Sequence, residues 1–196
     1  MISGILYLIS QWGIPMKTMR NFTLLLILFY IVVMPLSACS AKPKQYTQAS
    51  WTTHYNTVEE MTNASDEIII AKVISQSLEL RVDMVFTISE LEIVEGIKSS
   101  TNNGSTLSVL QTGGKKGDFE TYPIEDVLML SQGKTYLLFL DKTDEGHTLL
   151  MGGYQGAATI QNGKVVFPDN EAFTQNKLDR LTLDQVKQAI KLMLNQ

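Results

Sequence analysis

The residues in this chain that could carry chemistry are few and far apart. His54 and His147 are its only histidines, and Cys39 is its only cysteine. A zinc site draws on Cys and His at set spacings, with pairs a few residues apart. No such pair exists here, so no metal site and no cofactor are expected. A lone cysteine also excludes an intramolecular disulfide, so the fold must rest on its core. No serine stands in a Gly-x-Ser-x-Gly turn, the strained corner that exposes a nucleophile. The twenty Asp and Glu residues are scattered along the chain. They leave one enzymatic reading open, a hydrolase working through dispersed carboxylates or His147. "TGGKKGD", residues 112–118, lacks the Gly-x4-Gly-Lys-Ser/Thr spacing of a phosphate-cradling loop. It reads as a loop with Lys115 and Lys116 solvated at its tip.

"MGGYQGA", residues 151–157, points elsewhere. Gly152, Gly153 and Gly156 flank Tyr154 and Gln155. Glycines allow unusual backbone angles and close approach. Tyrosine offers an apolar face and a hydroxyl, and glutamine adds a donor and an acceptor. Tyr154 and Gln155 are therefore the candidate contact residues. The alternative is a turn in which Tyr154 packs onto the end of the fold.

The chain has 196 residues, 44% of them hydrophobic and 18% charged, which suits one globular domain plus an N-terminal extension. Residues 1–38 contain Lys17 and Arg20 and no acid, so the remainder carries a formal charge of −6. That balance argues against a nucleic-acid partner, which needs a clustered basic face.

"MKTMRNFTLLLILFYIVVMPLSAC", residues 16–39, has a short positive head, an apolar run and then small residues, the layout of a secretory signal peptide. The run from Phe22 to Met34 is shorter than the roughly 20 residues that span a bilayer. An uncleaved anchor is the second reading. "MISGILYLISQWGIP" precedes the charged head, which points to Met16 as the true start; otherwise residues 1–15 extend the apolar segment. "LSAC" resembles the lipobox of bacterial lipoproteins: an aliphatic residue, two small residues and cysteine, matched by Leu36, Ser37, Ala38 and Cys39. The resemblance implies that residues 1–38 are removed and that Cys39 becomes a diacylglyceryl-modified N-terminus. Two acyl chains suffice where one binds a bilayer only marginally. Ordinary cleavage after "ACS" would instead release a soluble protein starting at Ala41. Residues 39–50, which include "SAKPKQYTQAS", are polar and read as a lipidated tether.

The domain at 51–196 must position any site. Tyr55, Val58 and Met61 at three-residue spacing predict a short helix ending near Asn63. "DEIIIAKVIS" begins a strand apolar on both faces over Ile68–Ile70, hence covered on both sides. In "VDMVFTISELEIVEG" the apolar positions run Val82, Met84, Phe86, Ile88 and then Leu91, Ile93. This change of parity predicts a β-bulge near Ser89–Glu90. "NNGSTLSVLQ" predicts a turn and a strand with Leu107 and Val109 on one face. "YLLFL", residues 136–140, is a buried strand. "HTLLM", "AATIQ" and "KVVF" are short strands, the last two joined by Asn162–Gly163, a strong hairpin signal. In the tail, Thr182 and Gln185 have capping-box spacing, with Leu181 and Val186 as the staple. Leu183, Val186, Ile190, Met193 and Leu194 form one apolar stripe of that helix.

The order helix, five to seven strands, helix predicts a mainly β protein, a small OB-like β-barrel with an N-terminal and a C-terminal helix. "ASDEIIIAKV" is similar to the opening strand of the netrin or metalloprotease-inhibitor-like class, and "GKTYLLFL" and "GGYQG" resemble segments of uncharacterised bacterial lipoproteins. The resemblance covers roughly residues 56–167. "VEGIK" departs from the usual ending of the second strand. The animal inhibitors of this class bind a protease's metal through a free N-terminal cysteine. An acylated Cys39 cannot do that. Together these readings lead to a membrane-anchored lipoprotein on the extracytoplasmic face of a bacterial cell membrane. It would be a non-enzymatic binding module, its partner an envelope protein or a wall polymer.

Overall fold

The computed structural model describes residues 45–46, 53–122, 127–143, 147–168 and 178–196. Leu36, Ser37, Ala38 and Cys39 lie outside the described residues, as do the signal segment and Trp51. The described residues form β1 (Gln45–Tyr46), α1 (Val58–Ala64), β2 (Glu67–Arg81), β3 (Met84–Lys98), β4 (Thr106–Thr112), β5 (Gly114–Lys116), β6 (Phe119–Tyr122), β7 (Thr135–Lys142), β8 (Thr148–Leu150), β9 (Ala157–Gln161), β10 (Lys164–Val166) and α2 (Leu183–Leu194).

Five of these strands close a ring. β2 pairs antiparallel with β3, β3 with β4, and β2 again with β7; β7 pairs with β8. The ring is completed by a parallel contact of β4 with β8 at Val109 and Thr148. The protein is thus mainly β, an OB-like barrel with one helix before it and one after. β7 divides its second edge. Leu140–Lys142 pair with β8 inside the ring, and Tyr136–Leu138 pair with β9, which continues outward to β10.

Apolar residues on alternate positions feed two separate cores. Ile69, Ala71, Val73, Leu91, Ile93 and Val109 fill the barrel with Leu138 and Leu140. Ile68, Ile70, Leu137 and Phe139 point the other way and pack beneath the helices with Met61, Val186 and Ile190. This is why "EIII" and "YLLFL" are apolar on both faces: each side of these strands is covered.

Both helices are capped as their sequences require. Thr57 accepts from the Glu60 amide at the start of α1, and Lys98 Nζ donates to the Thr62, Asn63 and Ser65 carbonyls at its end. A cation there suits the negative end of the helix. At α2 the Thr182 side chain accepts from the Gln185 amide while the Gln185 side chain accepts from the Thr182 amide, the expected capping box. Of the predicted stripe, Val186 and Ile190 are fully buried, whereas Leu183, Met193 and Leu194 are half-buried at its margin. Asn162 and Gly163 take left-handed φ values of 52° and 75° and form the predicted hairpin turn.

Three expectations need correction. β3 has no inserted residue near Ser89–Glu90; it pairs with β4 in unbroken register from Phe86 to Glu92. The same face, Val85, Thr87, Ser89, Leu91 and Ile93, is buried throughout. Thr87 and Ser89 are polar but satisfied: Thr87 Oγ1 donates to the Gly113 carbonyl at 2.6 Å, and Gln76 Nε2 donates to Ser89 Oγ at 2.9 Å. Met84, Phe86 and Ile88 are the outward set. The register shift opposite this segment is on β2, between Val73 and Ser75, with further shifts in the β2–β3 ladder between Ile68 and Ile69 and between Ile70 and Ala71. Second, "TGGKKGDFETYP", residues 112–123 and expected as a glycine- and lysine-rich loop, contains a hairpin, β5 with β6. Gly117 (φ 60°) occupies the first position of its two-residue turn, as a primed turn allows. Third, the tether is not free along its full length, because the backbone of Gln45–Tyr46 pairs with β6.

Glu67 is 2% exposed at the start of β2. Its Oε1 accepts from Lys142 Nζ at 2.7 Å and from Ser100 Oγ and Thr101 Oγ1 at 3.1 Å. Burial alone would raise its pKa, but these hydrogen bonds and the Lys142 charge outweigh it and hold the carboxyl below its usual value of 4.5. A depressed folded-state pKa contributes stability above the unfolded value, lost as pH falls through the folded one. Glu67→Gln should therefore lower the Tm at neutral pH, with the two melting curves converging as the pH falls below about 4. Thermal scans across pH 2–8 give the check; a constant gap would rule out this origin.

Candidate binding cleft at the parallel seam of the barrel

The seam between β4 and β8 is the thinnest join in the ring, with one registered residue pair. Val109 faces the interior, so its neighbours Leu110 and Thr112 alternate outward. On β3 the matching outward residue is Phe86, paired with Thr112. Leu149 comes from β8. Together these leave a cleft of about 300 Å³ on the outside of the seam, with Tyr55, Met151 and Asp141 also on its wall.

The "GGYQG" turn builds one side. Gly152 and Gly153 have φ values of 54° and 72°, a left-handed pair that turns the chain back within hydrogen-bonding reach of Leu150. A Cβ on Gly152 would collide with the Gln155 side-chain oxygen. Gln155 itself is fully buried. Its Oε1 accepts from the Tyr55 amide and its Nε2 donates to the Tyr55 carbonyl, both at 2.9 Å. This two-pronged clamp fixes the segment before α1 against the turn and sets Tyr55 at the cleft. Gln155 is thus a positioning residue whose amide is already engaged. Tyr154 is half-exposed beside it and does not line the cleft. Gln111 braces the opposite wall, donating to the Leu128 carbonyl at 2.9 Å and accepting from the Leu130 amide at 3.0 Å.

Among the described residues, Asp141 is the one charged side chain on the lining. The β2–β7 register, with Glu67 opposite Leu140, sets Asp66 opposite Asp141. Like charges directly across a ladder repel. The Asp141 carboxyl is held above its usual value of 3.8, first by burial and then by a hydrogen bond to Asp66 and the Asp66 charge. Tyr55 is raised above 10.0 by burial and by Asp141. Lys142 is committed to Glu67 at 2.7 Å, and Arg81, 5.9 Å from the Phe86 ring centre, binds Glu79 at 2.8 Å. Among the described residues, no Lys or Arg forms an ion pair with Asp66 or Asp141.

The remaining candidates are dispersed. His147 Nε2 faces Arg81 Nη1 at 3.4 Å, away from the cleft lining, and His54 is exposed. Lys115 pairs with Glu120 at 3.6 Å, and Lys116 Nζ donates to the Leu78 carbonyl at 2.7 Å. Among the described residues no three His, Cys, Asp or Glu side chains gather as metal ligands. The sequence reasoning missed Asp141, Asp66 and Tyr55. The available signal was an acid directly after a five-residue buried run, and another directly before the strand that pairs with it. No known family model matches this chain, and no curated protein matches it in sequence.

Proposed function

We propose that this chain is a lipid-anchored extracytoplasmic lipoprotein whose barrel serves as a non-enzymatic binding module, with the cleft at the β4–β8 seam as its ligand site. The observation that carries the binding role is the cleft: a concave wall, more apolar than polar, in which Phe86, Leu110, Leu149 and Met151 stand beside Tyr55, Thr112 and Asp141, a make-up that suits a small organic ligand. Its walls are set by strands and by the Gln155 clamp, so they are formed before any ligand arrives. The anchor rests on the lipobox at Leu36–Cys39 and on the charged head and apolar run before it. On this reading Cys39 carries diacylglycerol and holds the barrel at the outer face of a bacterial membrane, where an envelope protein or wall polymer could present the ligand.

Metabolic palmitate labelling tests the anchor. Wild type should take up label and fractionate with membranes, and Cys39→Ser should lose both. Equal labelling of the two would overturn the anchored reading. The binding role is tested separately, by the methyl-shift experiment described next.

A further inference from the structure

We infer that the cleft takes an organic cation, a primary ammonium on an apolar body, with its charge at Asp141 and its body against Phe86, Leu110 and Leu149. This rests on the cleft being a ligand site, and it adds the ligand's class.

Three observations meet at this place. The wall is carbon-rich, with Phe86, Leu110, Leu149 and Met151 contributing to one concave surface of about 300 Å³. That excludes a free inorganic ion as the best fit, since an ion gains nothing from apolar walls. Among the described lining residues the charged side chain is Asp141, and Asp66 lies across the ladder from it with its Oδ2 accepting from the Lys142 amide at 2.8 Å. An anionic ligand would meet a like charge at Asp141, and a neutral apolar one would gain nothing from it. Lys142 and Arg81 are paired with Glu67 and Glu79, and among the described residues no Lys or Arg forms an ion pair with Asp141. An ammonium placed against Asp141 would form such a pair, and it would also lie near Tyr55, whose ring face attracts cations. The body of such a ligand would cover the apolar wall that water now wets.

The geometry suits one small group. The volume holds a phenethyl- or hexyl-sized body, at the low end of the pocket sizes that bind organic ligands. Recognition would need no movement of the turn, because the glycine pair and the Gln155 clamp already hold it.

Phenethylammonium is the probe, with 2-phenylethanol as its neutral counterpart of similar shape and hydrocinnamate as the anion. Titrations use the full chain with labelled Leu and Met methyls. The amine should shift Leu110, Leu149 and Met151, and bind up to about fivefold more tightly than the alcohol, the scale of one ion pair at an exposed carboxylate. Hydrocinnamate should bind most weakly. Asp141→Asn should remove the preference for the amine while the alcohol binds as before. Asp66→Asn, which leaves the lining intact, should reduce the preference in part and covers the case in which Asp141→Asn does not fold. Amine and alcohol shifting the same methyls with equal affinity would keep the ligand site and overturn the cation assignment. No shift at these methyls with any of the three probes would overturn the ligand site as well.

Discussion

Gly156→Ala is expected to cost the barrel about 3 kcal/mol, the upper range for forcing a methyl into a packed site. The reason is local. A Cβ at this position would lie 2.5 Å from the Phe139 carbonyl oxygen, 2.6 Å from the Met151 nitrogen and 3.0 Å from the Met151 oxygen. All three are backbone atoms and cannot rotate away as a side chain would. They also belong to the ladder: the Phe139 amide donates to the Gly156 carbonyl at 2.8 Å, and the Gly156 amide donates to the Met151 carbonyl at 2.8 Å. Gly156 therefore sits where the edge of β7 passes from β8 to β9, and a methyl there pushes the two apart. Gly104 is the control. Its φ is 81°, yet nothing lies within 4 Å of its added Cβ. Gly104→Ala should lose only about 1–2 kcal/mol, from the left-handed backbone. Urea unfolding of both variants checks this. Equal losses would mean that the backbone around Gly156 gives way and that the close approach costs little.

Ile190→Ala should cost about 2–5 kcal/mol, the usual range for emptying a packed site of three carbons. Ile190 is fully buried where α2 lies on the outer face of β2 and β7, against the core that holds Phe139 and Met61. The neighbouring Leu192 is 67% exposed on the same helix. Leu192→Ala should stay within about 0.5 kcal/mol of wild type. The contrast isolates the packed stripe from helix propensity, because both changes place alanine in the same helix. An unchanged Tm for Ile190→Ala would show that α2 contributes little to the fold.

How much of this was legible depended on whether the signal was local. The capping box of α2 and the Asn162–Gly163 hairpin rest on residues within a few positions of each other, and both stand as read. The "YLLFL" and "EIII" runs announced burial on both faces, though not which core each face would join. The β3 reading failed because it took Thr87 and Ser89 for surface residues. Their partners, the Gly113 carbonyl and the Gln76 side chain, come from other parts of the chain, and only the folded ladder shows that two hydroxyls can sit on the inner face. The β5–β6 hairpin was hidden by glycines and lysines, whose strand preference is weak and is overridden by pairing. The cleft was the least legible part. Asp66 and Asp141 are 75 positions apart in number and meet only through the β2–β7 register, and the Gln155 amide is used up by a backbone 100 residues away.

The ring has a consequence for when the protein can fold. β2 finds β3 at once, as a hairpin, but it cannot find β7 until the chain through Lys142 is available, and the clamp on Tyr55 waits for Gln155. The contacts that cover the outer core from α2 wait for Val186 and Ile190. Closure over such separations is slow, because loop entropy is lost before distant contacts form. A nascent chain that has reached Tyr122 would hold the β2–β3–β4 meander and the β5–β6 hairpin, with neither the ring nor the outer core closed. A polypeptide with that schedule keeps its ring open until β7 and β8 are both made, so the barrel closes late.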